Sequence, residues 1–204
     1  STFGLASMVG FRSGVCLPFN LWDFKNRKRI SILEIPLTIM DRALFYKRYM
    51  ALSPEKAFQA CKKIVDTVHR YHGVLTLLWH PYTTLINRKS KRSWISSYKE
   101  ILAYSSRYNP LYTCGKKLAE WWNLRSMITF EDRSSTESEL KFYINSPENF
   151  KGFSLRIYIP VGLEKVKLFI RNKEIGKGSI VRNGKFILFF FDVLKGKNEV
   201  KVLL

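Results

Sequence analysis

Hydrophobic positions follow two regimes along the chain. Through residue 126 they gather in continuous runs and helical stripes, and from residue 140 onward they alternate. Residues 30–40 (ISILEIPLTIM) and 74–79 (VLTLLW) are nearly unbroken apolar runs, the pattern of strands buried on both faces of a parallel sheet. Pro36 removes a ladder donor and places the first run at an edge or a bulge. Between the runs, residues 53–71 predict a helix. Ser53 is a good N-cap, Pro54 suits the first turn, and Glu55 complements the dipole. Ala57, Cys61, Ile64, Val65 and Val68 recur at helical spacing on one buried face, and Gly73 stops the helix. Residues 94–108 predict a second helix, closed by Asn109-Pro110, and residues 111–125 a third, interrupted by Gly115. Strand, helix, strand, helix is the order of βα units around a parallel sheet. Residues 1–29 read as irregular and glycine-punctuated.

The stretch 127–139, with its EDRSSTESE cluster, reads as a polar linker. Beyond it, residues 140–144, 153–159, 165–170, 175–181, 185–191 and 199–203 are strand candidates, separated by Pro147, Gly152, Pro160, Asn172, Asn183-Gly184 and Gly196. Asn-Gly between two such runs is a hairpin signal. Short alternating strands at this density predict a small β-sandwich. The expected organisation is an α/β domain over 1–126, a linker over 127–139, and a β-sandwich over 140–204. The chain opens on Ser1 with no element to start a domain, so a start in mid-domain is expected.

Charge changes the picture more than length does. The 204 residues carry a net charge of +19 and are 15% aromatic. Such a balance favours polyanionic partners: nucleic acid, acidic glycans or an anionic membrane face. The densest clusters, KNRKR at 25–29 and RKSKR at 88–92, fall in expected loops and read by default as solvated charge. Cys16, Cys61 and Cys114 are odd in number and far apart, with no CxxC, which suits a reducing, cytoplasmic setting. The longest apolar run, FILFFF at 186–191, is strand-sized, well short of the roughly 18 residues of a membrane span, and no signal peptide is read at the start.

Three polar residues follow apolar stretches where a βα architecture collects its active site: Arg12 in VGFRSG, Asp41 after LTIM, and His80 after LLW. A carboxylate orients an imidazole and supports it as a general acid, and an arginine holds a second carboxylate in place. Glu34, on the same run as Asp41, is the competing carboxylate. His69 and His72, three apart near a helix end, could bind a metal or simply be solvated. No G-x-S-x-G elbow, zinc finger, RNP aromatic set or helix-turn-helix is present.

GFRSG followed by Pro18, the strand ending at Asp41, and Leu78-Trp79-His80 together resemble the later motifs of the polysaccharide deacetylases, the NodB-homology carbohydrate esterases. The resemblance covers residues 1–126, with Trp121-Trp122 and Arg125 resembling the barrel-closing helix. It implies the C-terminal part of a distorted (β/α) barrel that removes acetyl groups from N-acetylated sugars with a divalent metal, usually zinc. His80 would be the general acid, Asp41 its partner, and Arg12 the holder of an upstream base. Leu78 would line the pocket for the acetyl methyl, with Trp79 beside it. The family's Asp-Asp and His-x-x-x-His motifs are absent. The chain by itself is therefore expected to hold no catalytic metal and not to deacetylate. The missing barrel half, upstream or on another chain, is expected to cover the edge of the run at 30–40.

A second reading stays open. In it the chain is a non-catalytic basic binding module for acidic glycan or nucleic acid, motivated by the +19 charge and by aromatics expected to be exposed, such as Trp22 and Trp94.

Overall fold

The structure, a computed structural model, describes residues 7–11, 14–81, 94–158, 166–176, 180–183 and 186–204. The chain divides into two compact units, Ser1–Lys117 and Leu118–Leu204.

In the first unit, β1 (Phe19–Asp23) and β2 (Lys28–Glu34) form an antiparallel hairpin. Then come β3 (Ile39–Met40), α1 (Asp41–Phe45), α2 (Pro54–Arg70), β4 (Leu77–Leu78) and α3 (Trp94–Ser105), which ends in a 3-10 turn over Ser106–Tyr108. A further helix, α4 (Gly115–Ser126), spans the division between the units. β3 and β4 pair in parallel, Ile39 opposite Leu77 and Met40 opposite Leu78. The connection between them runs through α1 and α2, as a parallel pair requires. Ser53 caps α2 by accepting from the Lys56 amide at 3.4 Å. Its buried face of Ala57, Cys61, Ile64, Val65 and Val68 is the predicted one, and it closes on Ile39, Leu44 and Ile101. Gly73 is needed for close approach: a Cβ there would lie 2.8 Å from the Cys16 carbonyl oxygen.

Several expectations are corrected here. The run at 30–40 is not one strand. Its first part pairs within the hairpin, residues 35–38 around Pro36 leave the ladder, and only Ile39–Met40 joins the parallel pair. Residues 74–79 likewise contribute just Leu77–Leu78. The irregular reading of 1–29 misses β1, and KNRKR is the turn and first strand residues of the hairpin rather than a loop. The second basic cluster, at 88–92, lies outside the described residues.

The second unit is a β-sandwich. One sheet has the order β5-β6-β12-β8-β9 and the other β10-β11-β7. The strands are β5 (Thr129–Ser135), β6 (Glu139–Ser146), β7 (Phe150–Tyr158), β8 (Lys167–Ile170), β9 (Lys173–Glu174), β10 (Ile180–Asn183), β11 (Phe186–Val193) and β12 (Gly196–Leu203). Alternate residues of both sheets make one core, with Phe189, Ile144, Leu168, Val200 and Val202 fully buried. The stretch expected as a linker contains β5. All its residues are exposed, so no apolar alternation marks it. The run at 175–181 is no single strand either: β9 ends at Glu174 and β10 begins at Ile180. The Asn183-Gly184 hairpin signal is met by β10 and β11, with Asn183 opposite Phe186, although Gly184 itself is outside the described residues. Buried Asn198 is satisfied, taking the Leu194 amide at 3.0 Å and giving to the Leu194, Gly196 and Ile144 carbonyls.

The protein is therefore mixed α/β with a β-rich second unit. Among the described residues the sheets do not close into a barrel. No described helix is long and apolar enough to cross a membrane.

Candidate functional site

Two short parallel strands end side by side, and each delivers a polar residue just past its end. Asp41 follows β3 as the first residue of α1, and His80 lies two residues after β4. The pairing places them in contact. The His80 Nδ1 lies 2.6 Å from Asp41 Oδ1, and the His80 backbone amide donates to Asp41 Oδ2 at 2.9 Å. The Arg42 amide donates to Oδ1 at 2.6 Å. Asp41 has no exposure, while the His80 side chain keeps 26%, so the ring is the half of the pair that solvent reaches. An ionised carboxylate only accepts, so the Nδ1 proton belongs to the imidazole in this bond. Asp41, rather than Glu34, is the partner of His80.

The register of this contact is set one step earlier. Thr38 and Thr76 face each other where the two strands approach. The Thr38 amide donates to Thr76 Oγ1 at 2.8 Å, and the Thr76 amide donates to Thr38 Oγ1 at 3.1 Å. Thr38 Oγ1 also donates to the Thr76 carbonyl at 2.8 Å, and Thr76 Oγ1 to the Pro36 carbonyl. Side chains thus carry hydrogen bonds that a longer ladder would supply, around the break that Pro36 causes. The sequence reading missed this pair. The available signal was a single threonine inside each apolar run, three residues before Asp41 and four before His80.

Arg12 lies outside the described residues. Its near neighbour Gly10 donates to the Thr38 carbonyl at 2.8 Å, one residue before β3. Leu78 is half-buried opposite Met40. Trp79 packs edge-on to Phe45 at 6.1 Å and against Tyr98 at 5.3 Å, and its buried Nε1 has no hydrogen-bond partner among the described residues. Trp94, expected as an exposed binding aromatic, instead stacks on Phe45 at 5.0 Å and is half-buried, whereas Trp22 is exposed as expected. Cys61 is fully buried, and burial pushes its thiol up to about 12, which suits a core residue and not a nucleophile.

The metal implied by the family resemblance finds no donor set among the described residues. Among the described residues no three His, Cys, Asp or Glu side chains gather as a metal site. The His69 ring stacks on Tyr108 with centroids 4.0 Å apart.

No family model matches the sequence, and no curated protein matches it. Among solved structures the chain is similar to an α-L-rhamnosidase from Dictyoglumus thermophilum, 14% identical, over 72% of this chain and 21% of that one, with a TM-score of 0.25. It is also similar to a family 39 glycoside hydrolase from the gut symbiont Bacteroides cellulosilyticus WH2, 8% identical, over 76% of this chain and 31% of that one, with a TM-score of 0.22. The chain spans less than a third of the length of either.

Proposed function

We propose that Asp41 and His80 are the acid half of a hydrolase site of the polysaccharide deacetylase type, which removes acetyl groups from N-acetylated sugars. The observation that carries this reading is the 2.6 Å contact between His80 Nδ1 and the buried Asp41 carboxylate, at the C-terminal ends of two parallel strands. In this reading β3, β4 and the segment before Arg12 are part of a deacetylase-type barrel. Water adds to the acetamide carbonyl, and as the C–N bond of that adduct breaks to release acetate and the free amine, protonated Nε2 of His80 gives its proton to the departing nitrogen while Asp41 holds the ring in place for that transfer. Arg12 would fix a base supplied from outside this chain, Leu78 would line the pocket for the acetyl methyl, and Trp79 would brace the wall behind His80. Among the described residues no donor set fits a zinc site.

The test joins the chain to whatever coding sequence precedes Ser1, adds zinc, and measures acetate released from N-acetylated chito-oligosaccharides. Release is expected, with kcat lowered by about 100-fold or more in His80→Ala. No release, or release indifferent to His80→Ala, would overturn the proposal. Salt-dependent binding of an acidic glycan or nucleic acid without any release would favour the binding-module reading instead.

A further inference from the structure

The β1–β2 hairpin carries the second feature that asks for a ligand, and it stands apart from the hydrolase reading. Its tip joins apolar rings to a dense positive charge. Phe24 is 86% exposed and Trp22 51% exposed. Around them stand Lys25, Arg27, Lys28 and Arg29, four cations against the single carboxylate of Asp23. The tip is a built turn. Asp23 accepts the Asn26 amide at 3.0 Å and the Asn26 side-chain amide at 2.7 Å. These bonds from Asn26 hold the Asp23 carboxyl below the usual carboxylate range, so the turn keeps its acceptor in mildly acidic solution. Arg27 takes a left-handed backbone at φ 49°. At the tip Asp23 stands opposite Lys28 and Trp22 opposite Arg29, the register shifts between Trp22 and Asn20, and Arg29 donates to the Asn20 side chain.

A phenyl ring held out at the end of a closed turn has no polar atom to satisfy in water, and its natural surroundings are apolar. Like charges this close have theirs in an anionic surface. A single-stranded nucleic acid would meet the charge, but it is gripped by aromatic faces that follow one another along a groove. Here Trp22 is on the sheet and Phe24 lies beyond its end, so the two give no continuous platform. An anionic bilayer offers both surroundings in the right order. Phosphate headgroups lie at the depth the long cationic side chains reach, with acyl chains just below for the ring at the tip. Trp22, one residue back from Asp23, falls at the interfacial depth that tryptophan favours.

We propose that the hairpin tip from Trp22 to Arg29 is an interfacial anchor that docks the protein on an anionic lipid surface, inserting Phe24 and pairing its cations with headgroup phosphates. It lies on the surface and spans nothing.

The experiment is co-sedimentation of the full 204-residue chain with vesicles of phosphatidylcholine alone and of phosphatidylcholine mixed with phosphatidylglycerol. Partitioning onto the mixed vesicles should exceed that onto phosphatidylcholine by about tenfold or more. Phe24→Ser should lower it by about tenfold, Lys25→Glu should also lower it, and both variants should keep the circular dichroism of the parent. Salt near 1 M should release the protein, since the Debye length is then only about 3 Å. Equal or absent binding to the two vesicles would overturn the proposal. So would binding to phosphatidylglycerol that Phe24→Ser leaves intact, which reduces the tip to general electrostatics. Tighter binding to single-stranded RNA than to the mixed vesicles at the same salt would assign the tip to nucleic acid, and that too would overturn it.

Discussion

Asp41 is the residue on which the candidate site turns, because three donors converge on a carboxylate with no exposure: the Arg42 amide, the His80 amide and the His80 ring. Removing it strands buried donors, and stranded donors cost more than the bonds they made. Asp41→Ala is therefore expected to destabilise the first unit by about 2–4 kcal/mol, and Asp41→Asn by less, about 1–3 kcal/mol. Urea unfolding at constant m-value checks the order, and equal losses in the two variants would contradict it. Asp66 makes a second prediction at this scale. It accepts the Tyr104 hydroxyl at 2.7 Å and the Tyr108 hydroxyl at 2.8 Å. The Tyr104 bond, reinforced by the one from Tyr108, holds the Asp66 carboxyl below its usual range. Its contribution is thus present above the unfolded carboxylate value of about 3.9 and is lost as pH falls through the lower folded value. The same bond to Asp66 pushes the Tyr104 hydroxyl up. That contribution is present below the unfolded tyrosine value of about 10 and is lost as pH rises through the folded one. Asp66→Asn should flatten the fall of Tm on the acid side, and an unchanged acid limb would refute the link.

At the scale of elements, the parallel pair is two residues long on each side, too short to set its own register by backbone bonds alone. The reciprocal bonds of Thr38 and Thr76 supply that register, and the Asp41–His80 contact depends on it. Thr76→Val keeps the shape but leaves the Thr38 amide without its acceptor. It should cost about 1–3 kcal/mol and weaken the Nδ1–H proton signal of His80, while Thr76→Ser should keep both near the parent values. A Thr76→Val protein with an unaltered His80 proton would show that the strands hold register without the clamp. These lengths also explain what was legible beforehand. Helix α2 shows in the sequence because its buried face recurs from Ala57 to Val68 within a seventeen-residue helix, long enough for periodicity to speak. The run at 30–40 misled because two unrelated burials abut: the end of the hairpin, with Glu34 buried, and β3, with Ile39 buried. Periodicity registers burial and not partner, so it cannot show that the ladder changes at Pro36. Strand β5 is wholly exposed and left no apolar mark. Asp41 and His80 were legible because polar residues at the ends of apolar runs stand out. The threonine clamp was not, since threonine is an ordinary strand residue.

Over the whole molecule, the two units have separate cores. One is built on Leu44, Ala57, Cys61 and Ile101, the other on Phe189, Ile144, Val200 and Val202. Each core is made of contacts within its own unit, so damage to one should be read within that unit. Phe189→Ala removes the largest fully buried side chain of the sandwich and should cost it about 3–5 kcal/mol, while Leu44→Ala should cost the first unit about 2–5 kcal/mol. Native-state hydrogen exchange separates the two effects. Phe189→Ala is expected to speed exchange of the Val200 and Val202 amides and to leave those of Val65 and Val68 unchanged, and Leu44→Ala is expected to do the reverse. The His80 ring proton should survive Phe189→Ala for the same reason, because Ile39 and Leu77 on the strands that hold it pack into the first core. Loss of protection at all four valines in either variant would mean that the units unfold as one, and the site would then answer to the sandwich as well as to its own strands.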